Sequence, residues 1–258
     1  MKFLKKNIKF IAILVIEMII VSTVSVYAAY SYLAQDVSYT KSDGTEISVK
    51  EALDQLYAKE NVESIIMGFD LTGFYADVDD DGTVDGVIFV DLAKGASGNW
   101  NPGNNSWAAS NNTGVYSYSA VTSGLRSYKI STKISSYSGK FGTKPVIAPN
   151  GTSGNARFYV MALSDYDTST HTWSDARYKT QTVGSVTFRL PSKEEWAAFG
   201  GQLGINTSNY SSSYGLSRWY WSSTERASSY AWGAYVNGGY MNYFDKTFNN
   251  SVRLCATF

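Results

Sequence analysis

From Phe69 onward the chain is written in short β-type runs separated by clusters of Gly, Asn, Ser and Asp, and this rhythm constrains the fold more than any other feature. Gly73 to Val78, Val84 to Leu92, Arg157 to Leu163, Val186 to Leu190, Trp219 to Ser222, Tyr230 to Val236 and Ser251 to Phe258 read as strands. Helical spacing is confined to two places. Val49, Ala52, Leu53, Leu56 and Tyr57 share one face after a Ser48/Glu51 capping box, and Lys193 to Gly200 follows a second box made by Ser192 and Glu195. Ala96 to Asn112 is so rich in Gly, Asn and Ser that it reads as loop, pinned by Trp100 and Trp107. The expectation is one α+β domain over residues 69–258, strand-rich with few short helices.

Ahead of that domain, Met1 to Lys9 is lysine-rich, Phe10 to Val26 is apolar apart from Glu17, and Val26-Tyr27-Ala28-Ala29 supplies small residues. That order is the order of a secretory signal over residues 1–29, cleaved after Ala28 or retained as a membrane anchor. A type IV pilin start lacks its Gly-Phe junction. Export places the protein outside or on the surface of a bacterial cell, with the membrane touched only through this segment. Residues 30–68 form a short stalk carrying the first helix. That helix is too short to stand alone, so its stripe docks on the main domain or on copies of itself in a homo-oligomer. Within the stalk, the segment from Asp36-Val37-Ser38-Tyr39-Thr40 through Glu51-Ala52-Leu53-Asp54-Gln55-Leu56-Tyr57 resembles a short stalk module of surface proteins and phage fibres.

Lys plus Arg and Asp plus Glu both total 22, so no net field draws the chain to nucleic acid. Cys255 is the single cysteine, which excludes an intrachain disulfide and reads as a small buried hydrophobe. His171 has no second His or Cys to complete a zinc site. Glu194 and Glu195 read as a helix start rather than a hydrolytic pair, and no phosphate-cradling glycine loop follows a strand. The expectation is a binder and not an enzyme.

Arg189-Leu190-Pro191-Ser192-Lys193-Glu194-Glu195-Trp196 resembles the Arg-Leu-Pro-x-x-x-Glu-Trp signature of the C-type-lectin-like fold in sulfatase-modifying-factor and formylglycine-generating proteins. Trp221-Ser222-Ser223-Thr224-Glu225, Ala231-Trp232, Gly238 or Gly239, Lys246 and Val252-Arg253 resemble its C-terminal half. Formylglycine generation needs a reactive cysteine pair, so the resemblance does not extend to that activity. Within the superfamily the chain is most similar to the variable proteins of diversity-generating retroelements, of major tropism determinant type. That resemblance implies a C-terminal surface whose residues are exchanged by adenine mutagenesis while the scaffold persists.

The residues make a compatible case alone. Along Tyr230–Val236, Tyr230, Trp232, Ala234 and Val236 are expected to face the core, with Ala231, Gly233, Tyr235 and Asn237 on the other side. Asn237-Gly238-Gly239 supplies the positive-φ turn, and Tyr240 to Lys246 returns antiparallel. Arg226, Ser228, Ser229, Tyr235, Asn237, Tyr240, Asn242, Tyr243, Asp245, Asn249 and Asn250 are the candidate outward patch, while Phe244 and Phe248 could equally be core. Tyrosine offers large contact area with few torsions to freeze, and Asn, Ser and Gly adapt their hydrogen bonding. The ligand is an extracellular protein or glycan. Two rivals are a structural, pilus-like subunit and a calcium-dependent lectin.

Asp77-Val78-Asp79-Asp80-Asp81-Gly82-Thr83-Val84-Asp85 has the alternating acid spacing that encircles a hard cation, here calcium, with Asp77, Asp79, Asp81 and Asp85 as ligands. The twelfth loop position is Ile88, where an EF-hand carries Glu, so a solvated hairpin turn competes with a calcium site.

Overall fold

A computed structural model describes residues 38–40, 46–48, 68–101 and 105–258. The expected signal or anchor and the stalk helix lie outside the described residues. The chain divides into two compact units, Met1–Gly68 with Gly142–Lys144, and Phe69–Phe141 with Pro145–Phe258. In the first, β1 (Ser38–Thr40) pairs antiparallel with β2 (Glu46–Ser48), Tyr39 opposite Ile47. Ser48, expected to cap a helix, is the last residue of β2. Among the described residues, no helix is long and apolar enough to cross a membrane.

The second unit is strand-rich with three short helices among the described residues. Its strands are β3 (Tyr75–Ala76), β4 (Gly86–Asp91), β5 (Ala96–Asn99), β6 (Val115–Tyr118), β7 (Tyr128–Ile130), β8 (Ser136–Gly139), β9 (Gly142–Pro149, of which Pro145–Pro149 belong to this unit), β10 (Phe158–Ala162), β11 (Thr180–Val183), β12 (Val186–Arg189), β13 (Trp219–Ala227), β14 (Tyr230–Tyr235), β15 (Tyr240–Asp245) and β16 (Cys255–Thr257). The large sheet runs β11-β12-β16-β10-β4-β3-β9-β7. Along that path β3 and β9 pair in parallel, while β4, buried at every position, pairs antiparallel with both β3 and β10. A continuous apolar run such as Val87-Ile88-Phe89-Val90 is what a strand covered on both faces requires.

The helices are α1 (Ser106–Ser110), α2 (Trp173–Ala176) and α3 (Lys193–Gln202). α3 begins as the sequence specifies: Ser192 Oγ accepts from Glu195 N at 3.1 Å, and Glu195 Oε2 accepts from Ser192 N at 2.6 Å. Glu195 through Gly200 are all buried, because α3 is wedged between β4, the β5–β6 ribbon and the β13–β15 sheet. Glu195 also takes both guanidinium nitrogens of Arg189, at 2.8 and 2.5 Å. Burial alone would raise the Glu195 carboxyl, but the Arg189 fork and the Ser192 amide outweigh it and leave it below its ordinary range.

Ala96 to Asn112 is not all loop. β5 pairs with β6 from Ala96 opposite Tyr118 to Asn99 opposite Val115, and α1 is capped by Asn105, whose Oδ1 accepts from Ala108 N at 2.8 Å. Trp100 is the pin: it is buried and donates from Nε1 to Ile205 O at 2.7 Å. Trp107 is 39% exposed.

Candidate functional site

β13, β14 and β15 form a separate three-stranded antiparallel sheet. Its two turns follow from local chemistry. Ser228 and Ser229 join β13 to β14, held by Lys246, whose Nζ donates to Ser228 O at 2.9 Å and whose N donates to Ser229 O at 2.9 Å. Asn237-Gly238-Gly239 joins β14 to β15, but only Gly239 has positive φ (72°), with its N–H on Tyr235 O at 2.9 Å.

The register sorts the side chains. Tyr220, Ala234 and Met241 stand opposite one another on the inner face, all fully buried in the main core. Tyr220 packs 4.8 Å from Trp196 of α3, donates to Asp165 Oδ1 at 2.8 Å and accepts from Ser217 N at 2.7 Å. Burial pushes its phenol up to about 12.

Trp219, Tyr235 and Tyr240 stand opposite one another on the outer face, followed on that face by Asn242 and then Phe244 at alternate positions along β15. Their rings form a continuous row. Tyr235 and Tyr240 meet edge to face at 5.2 Å, Trp219 lies 6.0 Å from Tyr235 and 5.8 Å from Phe244, and Trp219 is 37% exposed. Beside Trp219 opens a cavity of about 160 Å³, also lined by Thr170, Arg218, Asn249 and Asn250.

The expected facing of β14 is corrected in part. Ala234 and Val236 are in the core as expected, but Tyr230 is 39% exposed, Trp232 is half-buried, and Ala231 and Gly233, expected outward, are buried. Both faces are packed at this end of the sheet. The Phe244 ring lies over Gly233, where an added Cβ would sit 2.8 Å from it and 2.4 Å from Tyr220 O, so nothing larger than glycine fits. Trp221, on the same face, is fully buried under the segment leading into α2 and donates from Nε1 to His171 O at 2.7 Å.

The candidate patch therefore splits. Tyr235, Tyr240 and Asn242 gather on the outer face. Tyr243 stands on the opposite face, in a second aromatic group with Trp107 at 5.8 Å, Trp232 at 5.8 Å and Tyr230 at 5.6 Å, and with the Arg226 guanidinium 3.7 Å from its ring centre. Ser228, Ser229 and Asn249 are exposed. Asp245 shapes its own turn, accepting from Thr247 N at 2.9 Å and Thr247 Oγ1 at 2.8 Å, bonds that hold its carboxyl below the ordinary range. Asn237 Oδ1 is buried without a partner. Asn250 is not outward: it is 2% exposed, because its backbone makes a two-way bridge with His171. Trp219 and Phe244 belong to the outer row although the sequence did not single them out as contacts, and Phe248 is exposed. The signal for Trp219 was its place on the same strand face as Trp221 and opposite Tyr235.

His171, which has no second His or Cys to complete a zinc site, faces a carboxylate from each ring nitrogen: Asp175 Oδ2 is 2.6 Å from Nδ1, and both oxygens of Asp167 are 3.0 Å from Nε2. Cys255 is fully buried, and desolvation, followed by the charge of neighbouring Glu195, raises its thiol well above the ordinary value.

The acidic loop lies on the large sheet, between β3 and β4. Asp77, Asp79 and Asp85 bring carboxylate oxygens within 4.8 Å of one another, and the three could hold a metal ion. Asp81, expected as a fourth ligand, is not in that group; its Oδ1 accepts from Thr83 N at 2.6 Å. Asp77 is buried and closes the loop by accepting from Asp81 N, Gly82 N and Ser131 Oγ. Burial, followed by the charges of Asp79, Asp77 and Asp81, pushes the Asp85 carboxyl up to about 6. This crowding is the condition that a hard cation relieves, and the all-carboxylate donor set fits one.

No family model matches the chain, and no curated protein matches it either.

Proposed function

We propose that this is an exported, surface-displayed binding protein of C-type-lectin-like architecture. It recognises an extracellular protein or glycan through the outer face of β13–β15, and it is related to the variable proteins of diversity-generating retroelements. The observation that carries the reading is the division of one small sheet into a sealed inner face, Tyr220, Ala234 and Met241, and an outer row of aromatic and amide side chains, Trp219, Tyr235, Tyr240, Asn242 and Phe244. Rigid aromatic anchors with adaptable amides between them give contact area at low ordering cost, and a buried frame beneath lets them be exchanged. The work is non-covalent and needs no catalytic group. Calcium held by Asp77, Asp79 and Asp85 would brace the turn between β3 and β4, on a different sheet from the outer row, and so serve the scaffold rather than bridge to a ligand.

The test is to screen the purified chain on arrays of extracellular glycans and surface proteins, beside a Tyr235→Ala/Tyr240→Ala variant and an Arg226→Ala/Tyr243→Ala variant. The outer-face variant should lose its ligand and the other should keep it. Equal loss in both, or a ligand that only the second variant loses, rejects the assignment. Light scattering showing reversible self-association lost in the outer-face variant would favour the structural subunit instead.

A further inference from the structure

We infer that the hollow beside Trp219 is a metal-independent carbohydrate subsite that seats one pyranose ring, with Asn250 as its polar anchor; this rests on the outer face of β13–β15 being the binding surface. The cavity, about 160 Å³, is open and local, of a size for one ring rather than a length of folded chain. Asn250 in its wall is only 2% exposed, yet its carboxamide oxygen and nitrogen both lack a hydrogen-bond partner. Its backbone N–H and C=O are already engaged with His171, so the side chain is the part left unsatisfied. Buried polar groups in native proteins are almost always paired, with protein or with ordered water, so this amide has both of its hydrogen-bonding atoms to offer to a hydroxyl seated in the hollow. Because nothing holds the amide, turning it toward the hollow breaks no bond.

The chemistry of the wall selects the guest. A carboxamide presents an acceptor and a donor side by side, which complements adjacent hydroxyls that each donate and accept. Thr170 and Asn249 add further groups of the same two-way kind, and Arg218 adds donors for hydroxyl oxygens. Trp219 supplies an indole at the rim, steadied by Tyr235 and Phe244, whose electron-rich face attracts the polarised C–H bonds of a sugar. A peptide amide would also pair with Asn250 but would need a groove for its flanking chain. Asp77, Asp79 and Asp85 lie on the other sheet, so chelation should leave the subsite untouched.

The experiment is a titration of the full chain, in excess EDTA, with methyl pyranosides of the galacto, gluco, manno and N-acetylglucosamine series and their short oligomers, followed by saturation-transfer NMR. A single ring offers few atoms, so a dissociation constant on the order of 1 mM is expected for at least one of them. Trp219→Ala and Asn250→Ala should each weaken binding tenfold or more, with Asn250→Ala retaining its thermal midpoint since no side-chain bond is lost; should Asn250→Ala fail to fold, Trp219→Ala at the rim decides. Tyr243→Ala, on the opposite face, should bind normally. No binding across the panel, binding abolished by EDTA, or equal binding by the variants overturns the subsite. If the arrays yield a protein ligand that needs Tyr235 and Tyr240 while no pyranoside binds, the subsite falls and the outer-face reading stands. If sugars bind through Trp219 and Asn250 but every array ligand ignores Tyr235 and Tyr240, the reverse holds.

Discussion

Removing the Tyr235–Tyr240 pair is the sharpest test of a replaceable exterior over a fixed frame. Both rings are half-buried, so truncation loses only part of the roughly 1.5–3 kcal/mol that full burial of a large side chain provides. Their edge-to-face contact at 5.2 Å adds about 1 kcal/mol, which each single variant already loses. Tyr235→Ala and Tyr240→Ala should thus cost about 1.5–2 kcal/mol each, and the double variant about 2–3, short of the sum by the pair energy. Tyr220→Ala, one strand away on the inner face, empties a fully buried ring site at about 3–5 kcal/mol and also leaves the Ser217 amide without its acceptor, while Asp165 keeps Arg253 and the Ser217 hydroxyl. In a unit of this size each kcal/mol moves the melting point about 2–4 °C, so the double outer variant should melt about 4–12 °C low and Tyr220→Ala lower still. Calorimetry and urea titration of wild type, the two single variants and the double variant measure the cycle, with Tyr220→Ala as the interior reference. If Tyr235→Ala alone destabilises as much as Tyr220→Ala, the outer row is interior and the reasoning fails.

Three further outcomes are expected. Glu195→Gln keeps the shape but discharges one partner of a pair whose other member is half in water, so a loss of about 2–3 kcal/mol is expected, below the figure for a fully buried pair. Because the Glu195 carboxyl is depressed on folding, its contribution is present above the unfolded value near 4.3 and disappears as pH falls through the folded one; an acid titration of stability that is identical in wild type and Glu195→Gln contradicts this. Calcium at about a hundred times its dissociation constant should stabilise by about 2.7 kcal/mol, and Asp85→Asn should remove the response. Asp85 is raised to about 6, so its contribution without metal is full below the unfolded value and fades as pH rises through 6; calcium should therefore help most above pH 6, and a response that grows in acid counts against the site. Gly233→Ala, driven into Tyr220 O and the Phe244 ring, should cost about 1–3 kcal/mol and blunt ligand capture, checked by melting and array binding together.

The elements whose signals are local were legible in the chain. The α3 capping box fixes its start by two hydrogen bonds among four residues, and the Val87–Val90 run declares a strand covered on both sides. What stayed hidden depends on partners distant in sequence. β5 is Ala-Ser-Gly-Asn, a poor strand by composition, and it becomes one because β6 pairs with it. Ala231 and Gly233 look like solvent-side residues, yet both are buried, and Gly233 has to be small because the Phe244 ring and Tyr220 O occupy the space over it. Asn250 sits in an Asn-rich tail that reads as surface, and the bridge to His171, 79 positions earlier, buries it. The acidic loop was legible as an acid cluster, but which three of the four expected ligands converge depends on Asp81 turning to Thr83.

The tryptophans divide between holding this small sheet in place and standing on its two aromatic surfaces. Four indoles donate to main-chain carbonyls: Trp100 to Ile205, Trp173 to Ser222, Trp196 to Trp221 and Trp221 to His171, all at 2.7–3.0 Å. Two of those acceptors, at Trp221 and Ser222, belong to β13 itself, so the strand is pinned from α3 on one side and from α2 on the other by bonds to its backbone. A backbone acceptor is the same whatever side chain its residue carries, so substitutions on the outer face leave these pins in place. Trp107, Trp219 and Trp232 make no such bond, and these are the indoles that stand in the two aromatic surfaces. One residue type thus has two placements distinguished by where its N–H goes: into the main chain, where it locks the sheet, or left without a main-chain acceptor, where the indole stands in an aromatic surface.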